Sequence, residues 1–136
     1  MVGIVLISHG EMANGMLNSA GMFFGETELQ QVATVSLHPA DSPEDFDVKL
    51  TEAINSVDTG DGVFVLCDLV GGTPCNRVAY KVSDKVKVLT GMNLSMLMEL
   101  LGMRLCGLGL DDIDSDNLVS VGQDGILNYN KLLGGN

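Results

Sequence analysis

His9 and Asp68 each end a run of apolar residues and open a glycine-bearing segment. His9 follows Val2-Gly3-Ile4-Val5-Leu6-Ile7 and lies within Ser8-His9-Gly10. Asp68 follows the apolar stretch from Gly62 to Cys67 and begins Asp68-Leu69-Val70-Gly71-Gly72-Thr73-Pro74. Buried strands that run out into loops at one sheet edge would place the two side chains facing each other across a crevice. An imidazole that accepts a phosphoryl group must present a deprotonated ring nitrogen. A carboxylate bonded to the opposite N–H fixes that tautomer and supports the charge that develops. The backbone of Gly71, Gly72 and Thr73, together with the start of the following helix, would hold phosphoryl oxygens, although Pro74 gives no donor. Gly10 and Gly71 would allow close approach.

A third loop, Gly91-Met92-Asn93, leaves the fourth predicted strand at the same edge, and none of the three loops contains Lys or Arg. Such a site suits brief custody of one phosphate by a side chain better than a grip on a triphosphate. Gly71-Gly72-Thr73-Pro74 lacks the Lys and the longer frame of a Walker loop, and Gly107 and Gly109 make no dinucleotide fingerprint. His38, before Pro39, reads as an exposed loop residue. No ligand cluster with zinc spacing is present, and neither a metal nor a cofactor is expected. Cys67 reads as a strand-end core residue, and the methionines at 92, 96, 98 and 103 as helix core.

The elements that must position these groups follow from hydrophobic period. Nearly continuous apolar runs predict strands at Val2 to Ile7, Gly62 to Cys67 and Val86 to Thr90, with a less hydrophobic strand from Gln31 to Leu37 nearer the sheet edge. Ala13, Met16, Leu17, Ala20 and Phe24 recur at helical spacing, predicting a helix from Glu11 to Phe24 that stops at Gly25. Ser42-Pro43-Glu44-Asp45 reads as a capped opening for a second helix, whose apolar face is Phe46, Leu50, Ala53, Ile54 and Val57. Thr73 as cap and Pro74 as first residue would open a third helix reaching Val82 and burying Val78, Ala79 and Val82. A fourth, with Leu94, Leu97, Met98 and Leu101 on one face, would stop at Gly102. Beyond a loop from Cys106 to Leu110 come a short helix, Asp114 to Gln123, and a weak terminal strand, Ile126 to Tyr129.

Four strands alternating with helices predict a doubly wound α/β fold: a three-layer sandwich with a mainly parallel sheet in the order 2-1-3-4. The 136 residues read as one domain, 1–136. Their net charge of -11, from 18 acidic and 7 basic residues, disfavours nucleic acid and anionic membranes and favours a partner with a basic face. Three cysteines without paired spacing point to a reduced, cytoplasmic setting. The first apolar run has no basic flank and is too short to span a bilayer, so a soluble protein is expected. A flavodoxin-like cofactor-binding or signalling domain would share this layout. The crevice, however, carries neither an aromatic clamp nor a phosphate-binding lysine.

Three segments together resemble the enzyme IIA component of the mannose-type sugar phosphotransferase system. They are Gly3-Ile4-Val5-Leu6-Ile7-Ser8-His9-Gly10, Asp68 through Asn76, and Thr90-Gly91-Met92-Asn93-Leu94-Ser95-Met96-Leu97-Met98-Glu99. The resemblance implies that His9 takes a phosphoryl group on Nε2 from the carrier HPr and passes it to a histidine of the IIB component, serving membrane IIC and IID subunits. It implies that Asp68 orients the ring and that Thr73, at a position usually held by serine, serves the phosphate. It also implies a homodimer, formed in some members by exchange of a C-terminal antiparallel strand, for which Ile126 to Asn130 is the candidate segment.

Overall fold

The computed structural model describes residues 1–135. Four parallel strands, β1 (Gly3–His9), β2 (Val32–Leu37), β3 (Val63–Cys67) and β4 (Val86–Leu89), form one sheet in the order β2-β1-β3-β4. The central strands are the most apolar: β3 is buried at every residue and β1 at all but His9, whereas β2 and β4 are mostly half-buried edges. Alternate residues of β1 serve opposite faces, as strand geometry requires. Ile4 and Leu6 join one core with Phe64, Leu97, Leu100 and Leu118. Val5 and Ile7 join the other with Phe46, Leu50, Val65 and Val78.

Helices cover both faces. α1 (Met12–Ala20), α4 (Leu94–Leu105) and α5 (Ser115–Asp124) line the first core; α2 (Pro43–Val57) and α3 (Thr73–Val78) line the second. α2 begins where the sequence places it. The Ser42 hydroxyl accepts from the Asp45 N–H, the Asp45 carboxylate accepts from the Ser42 N–H, and Pro43 occupies the first turn. Such a box contributes about 1 kcal/mol. Since β2 and β3 flank β1 on opposite sides, the chain reverses direction between β1 and β3. The loops leaving those two strands diverge to opposite faces.

Several boundaries differ from the periodicity. β1 extends to His9, which pairs in register with Leu37, so the imidazole belongs to the strand end rather than the loop. α1 ends at Ala20, not Phe24; Gly21 closes it, and the following turn leaves Met22 and Phe23 exposed while Phe24 packs on the core. α3 is cut short at Val78 and passes into a 3-10 turn (Ala79–Lys81), so Val78 is buried while Ala79 and Val82 are exposed. Gly102 does not stop α4, which runs on to Leu105 because Arg104 is drawn into the core beyond it. No strand forms at Ile126 to Tyr129; Asn128 instead caps a single turn, α6 (Tyr129–Leu132), by accepting from the Lys131 N–H. Apolar residues make a strand only where a sheet edge pairs with them, and this segment, although Ile126 lines the groove beside β4, pairs with no strand in the single chain.

Candidate functional site

The apolar zipper of β1 and β3 carries His9 and Asp68 into direct contact rather than across a gap. One carboxylate oxygen, Asp68 Oδ2, lies 2.7 Å from His9 Nδ1 and accepts the His9 backbone N–H at 2.9 Å. The other, Oδ1, accepts the Leu69 N–H at 2.9 Å and lies 3.5 Å from the Cys67 thiol. The Asp68 side chain is only 6% exposed, whereas that of His9 is 46% exposed. Burial pushes the Asp68 carboxyl up. The His9 backbone N–H, the His9 ring and the Leu69 N–H outweigh it and hold the group below its ordinary value of 3.8. A carboxylate in that position accepts from Nδ1–H, which assigns the lone pair to Nε2, on the open side of the ring.

Gly72 lies against that open side. A Cβ at residue 72 would sit 2.5 Å from His9 Cε1 and 3.0 Å from Nε2, so no larger residue fits without moving the ring. The sequence expectation of close approach at Gly10 and Gly71 is therefore misplaced by a residue or more. A Cβ at either would meet open space, and both have positive φ, 54° and 89°, so their role is to turn the chain. Thr73 is not the cap of α3: Gly72 holds that position, no side chain caps the helix, and Thr73 is its first residue. The Thr73 hydroxyl is consequently uncommitted. Among the described residues the N–H groups of Gly71, Gly72 and Thr73 meet no protein acceptor. With α3 only six residues long, these loop donors, rather than a long helix dipole, would receive an anion.

The third loop does not join the pair. Met92 is buried and its N–H bonds the Cys67 carbonyl, while Asn93 caps α4 through the Met96 N–H and donates to the Gly122 carbonyl of α5. His38 is exposed, with its backbone N–H on Asp41. Cys67 is a core residue, and burial, with the Cys75 and Asp68 charges beside it, pushes its thiol up to about 12, which leaves it a poor nucleophile. Among the described residues no group of three or more His, Cys, Asp or Glu is arranged to hold a metal ion. No described helix is long and apolar enough to cross a membrane. Exposed Leu69 and Val70 stand on the loop that Asp68 opens, and exposed Met12 is the first residue of α1, three positions after His9.

Two residues escaped the sequence reading. Arg104, 5% exposed, donates to the carbonyls of Val2, Glu28 and Gln31 at the far end of the sheet. Ser8, fully buried, bonds Ala13 and Gly10 around the strand end. A signal for Ser8 was present: no Ser, Thr, Asp or Asn stands at Glu11 to cap α1.

Fold and site together define a doubly wound α/β domain that presents an aspartate-held imidazole at the switch point of a parallel sheet. The family model for mannose-type EIIA, described as "PTS system fructose IIA component", matches residues 3–115. The chain belongs to this family of sugar phosphotransferase system IIA components. It is 33% identical over 131 residues to the "PTS system mannose-specific EIIAB component" of Escherichia coli, covering 92% of this chain but 38% of that relative. It is 26% identical to the fructose-specific EIIA component of Bacillus subtilis, over 76% of this chain and 71% of the relative. The crystal structure of phosphotransferase system component EIIA from Streptococcus agalactiae superposes with a TM-score of 0.82 at 30% identity, covering 96% of this chain and 99% of that one.

Proposed function

We propose that this chain is a phosphoryl carrier in sugar uptake, with His9 as the residue that holds the phosphate. The observation that carries the reading is the division of labour on one ring. Nδ1 is engaged by buried Asp68, and Nε2, with no hydrogen-bond partner among the described residues, lies beside Gly72 and the unclaimed donors of Gly71, Gly72 and Thr73. Neutral His9 attacks the phosphorus of a phosphohistidine on HPr in line. The Nε2–P bond forms, the donor's P–N bond breaks, and the donor imidazole leaves with its electron pair. The Nδ1 proton stays on His9 against Asp68, which offsets the positive charge gained by the ring. The N–H groups of Gly71, Gly72 and Thr73 and the Thr73 hydroxyl share the charge of the equatorial oxygens. Passage to a histidine of IIB is the same step in reverse, and because both bonds are P–N the exchange runs near equilibrium without a metal.

Exposed Leu69, Val70 and Met12 suit a protein partner that covers the ring and excludes water during transfer. This role is cytoplasmic, beside membrane IIC and IID subunits. A homodimer is part of the proposal. Past Val86, whose N–H and carbonyl bond Ser83, no described strand pairs with the outer edge of β4, and a groove of about 450 Å³ beside it is lined by Val88, Leu89, Thr90 and Ile126, where a second copy would add apolar contact.

Incubation with enzyme I, HPr and phosphoenolpyruvate should place one acid-labile, base-stable phosphate on His9, located by mass spectrometry. His9→Ala should abolish labelling while the circular dichroism spectrum stays unchanged. Labelling that persists in His9→Ala, or a wild-type chain that takes no label and carries a bound flavin or nucleotide, would overturn the proposal.

A further inference from the structure

Ser8 precedes His9 but faces the opposite side of the sheet. It continues the series of Ile4 and Leu6 toward α1, whereas His9 continues that of Val5 and Ile7 toward α3. Its side chain is fully buried, and both capacities of its hydroxyl are used: Oγ accepts the Ala13 N–H at 2.8 Å and donates to the Gly10 carbonyl at 3.3 Å. α1 has no backbone cap of its own, since the Glu11 carboxylate in the cap position accepts the Asn14 side-chain amide and no backbone N–H of the first turn. One hydroxyl from the preceding strand therefore does the work of an N-cap and closes the turn that begins at Gly10.

Resting on the phosphocarrier reading, we propose that Ser8 is a positioning residue for His9, holding the strand-to-helix corner so that the ring stays on Asp68 and Nε2 stays aimed at the incoming phosphorus. The other ties of this corner run to the sheet: His9 N–H to Asp68 and Gly10 N–H to the Leu37 carbonyl, both 2.9 Å. Ser8 ties the corner to α1. Without it the Ala13 N–H and the Gly10 carbonyl lose their partner, the first turn of α1 frays, and Gly10, in left-handed backbone with no atom within 4 Å of where a Cβ would stand, is held only by its N–H bond to Leu37. In-line transfer tolerates such a shift poorly, because a displacement near 1 Å costs on the order of a hundredfold in rate.

The test compares the full-length wild type with Ser8→Ala, Ser8→Thr and Asn18→Gly, the last weakening α1 at an exposed residue away from the corner. Ser8→Ala should lower the saturating rate of phosphoryl uptake from HPr by about tenfold, leaving the half-saturating HPr concentration and the final stoichiometry of one phosphate unchanged. Its His9 ring nitrogens, read by two-bond proton–nitrogen correlation, should show mixed tautomers where the wild type shows Nδ1–H. Ser8→Thr, which keeps the hydroxyl, should recover the rate to within about twofold. Asn18→Gly should lower Tm without changing rate or ring spectrum. If Ser8→Ala does not fold, Ser8→Cys carries the same test, since a thiol keeps the shape and replaces a strong hydrogen-bonding group with a weak one. A Ser8→Ala rate and ring spectrum equal to wild type, a folded Ser8→Thr as slow as Ser8→Ala, or equal slowing by Asn18→Gly would each sink the assignment. A wild type that takes no label refutes the carrier reading instead, and the ring spectra then decide Ser8 by themselves.

Discussion

The two ends of the sheet each bury one charged group and use it in opposite ways. At the carboxyl end Asp68 is sheltered, but its partner is an imidazole that remains 46% exposed with one nitrogen free. At the amino end the Arg104 guanidinium is held by three backbone carbonyls, and among the described residues no carboxylate pairs with it. A cavity of about 610 Å³ opens there, lined by Arg104, Lys85, Asp61 and Asp112, away from the imidazole. Carbonyls satisfy a guanidinium without leaving a reactive group, whereas a carboxylate beside an imidazole leaves a lone pair directed outward. The comparison separates a charge that organises loops from a charge that, in the proposed mechanism, supports chemistry.

Arg104→Met breaks the comparison from the structural side. Met keeps much of the packing volume but leaves the carbonyls of Val2 and Glu28 without their donor and that of Gln31 with the Ile4 N–H alone, which costs about 2 kcal/mol in total. Urea unfolding should register that loss, and phosphoryl uptake per folded molecule should stay at the wild-type rate. A slowed rate in folded Arg104→Met would mean that the two ends are coupled.

Asp68→Asn acts from the other side. An amide still fills the space, but it no longer offsets the charge gained by the ring and can donate to Nδ1, favouring the wrong tautomer. Phosphoryl transfer should fall about a hundredfold, with His9 remaining the labelled residue. Rapid-quench labelling measures it, and an unchanged rate would remove Asp68 from the mechanism.

Acid sharpens the same contrast with a smaller effect. Asp68 and Asp41, both at the carboxyl end, have carboxyls held below 3.8, Asp68 against burial by the His9 and Leu69 donors and Asp41 chiefly by Lys49. A depressed folded pKa contributes stability that is complete above the unfolded value and disappears as pH falls through the folded one. Hydrogen exchange between pH 5 and pH 2 should therefore loosen His9, Gly10 and Leu69 before the strand starts held by Arg104, which stays charged throughout. Simultaneous opening of both ends would show that the site has no local stability of its own.

Much of this arrangement was legible in the chain. Continuous apolar runs belong to strands covered on both faces, so β1 and β3 could be recognised, and with them the placement of His9 and Asp68 at one edge. Ser42-Pro43-Glu44-Asp45 marked the start of α2 because capping is local chemistry. The errors came where a distant contact overruled a local signal. Thr73 has the type of a cap, yet the His9 ring lies over Gly72 and the cap falls there. Gly102 has the type of a stop, yet the helix continues because Arg104 finds three carbonyls in two other segments. Ile126 and Leu127 have the pattern of a strand, yet no edge receives them in the single chain, and Asn128 turns the backbone into α6.

Period, composition and capping chemistry are properties of neighbouring residues, and they determined by themselves that this protein is a doubly wound α/β domain with His9 and Asp68 at a common edge. Which ring nitrogen is free, which glycine must stay a glycine and which hydroxyl holds the corner were decided by the tertiary structure. Those choices depend on contacts of about 3 Å between segments about 60 residues apart, and no local pattern encodes a distance.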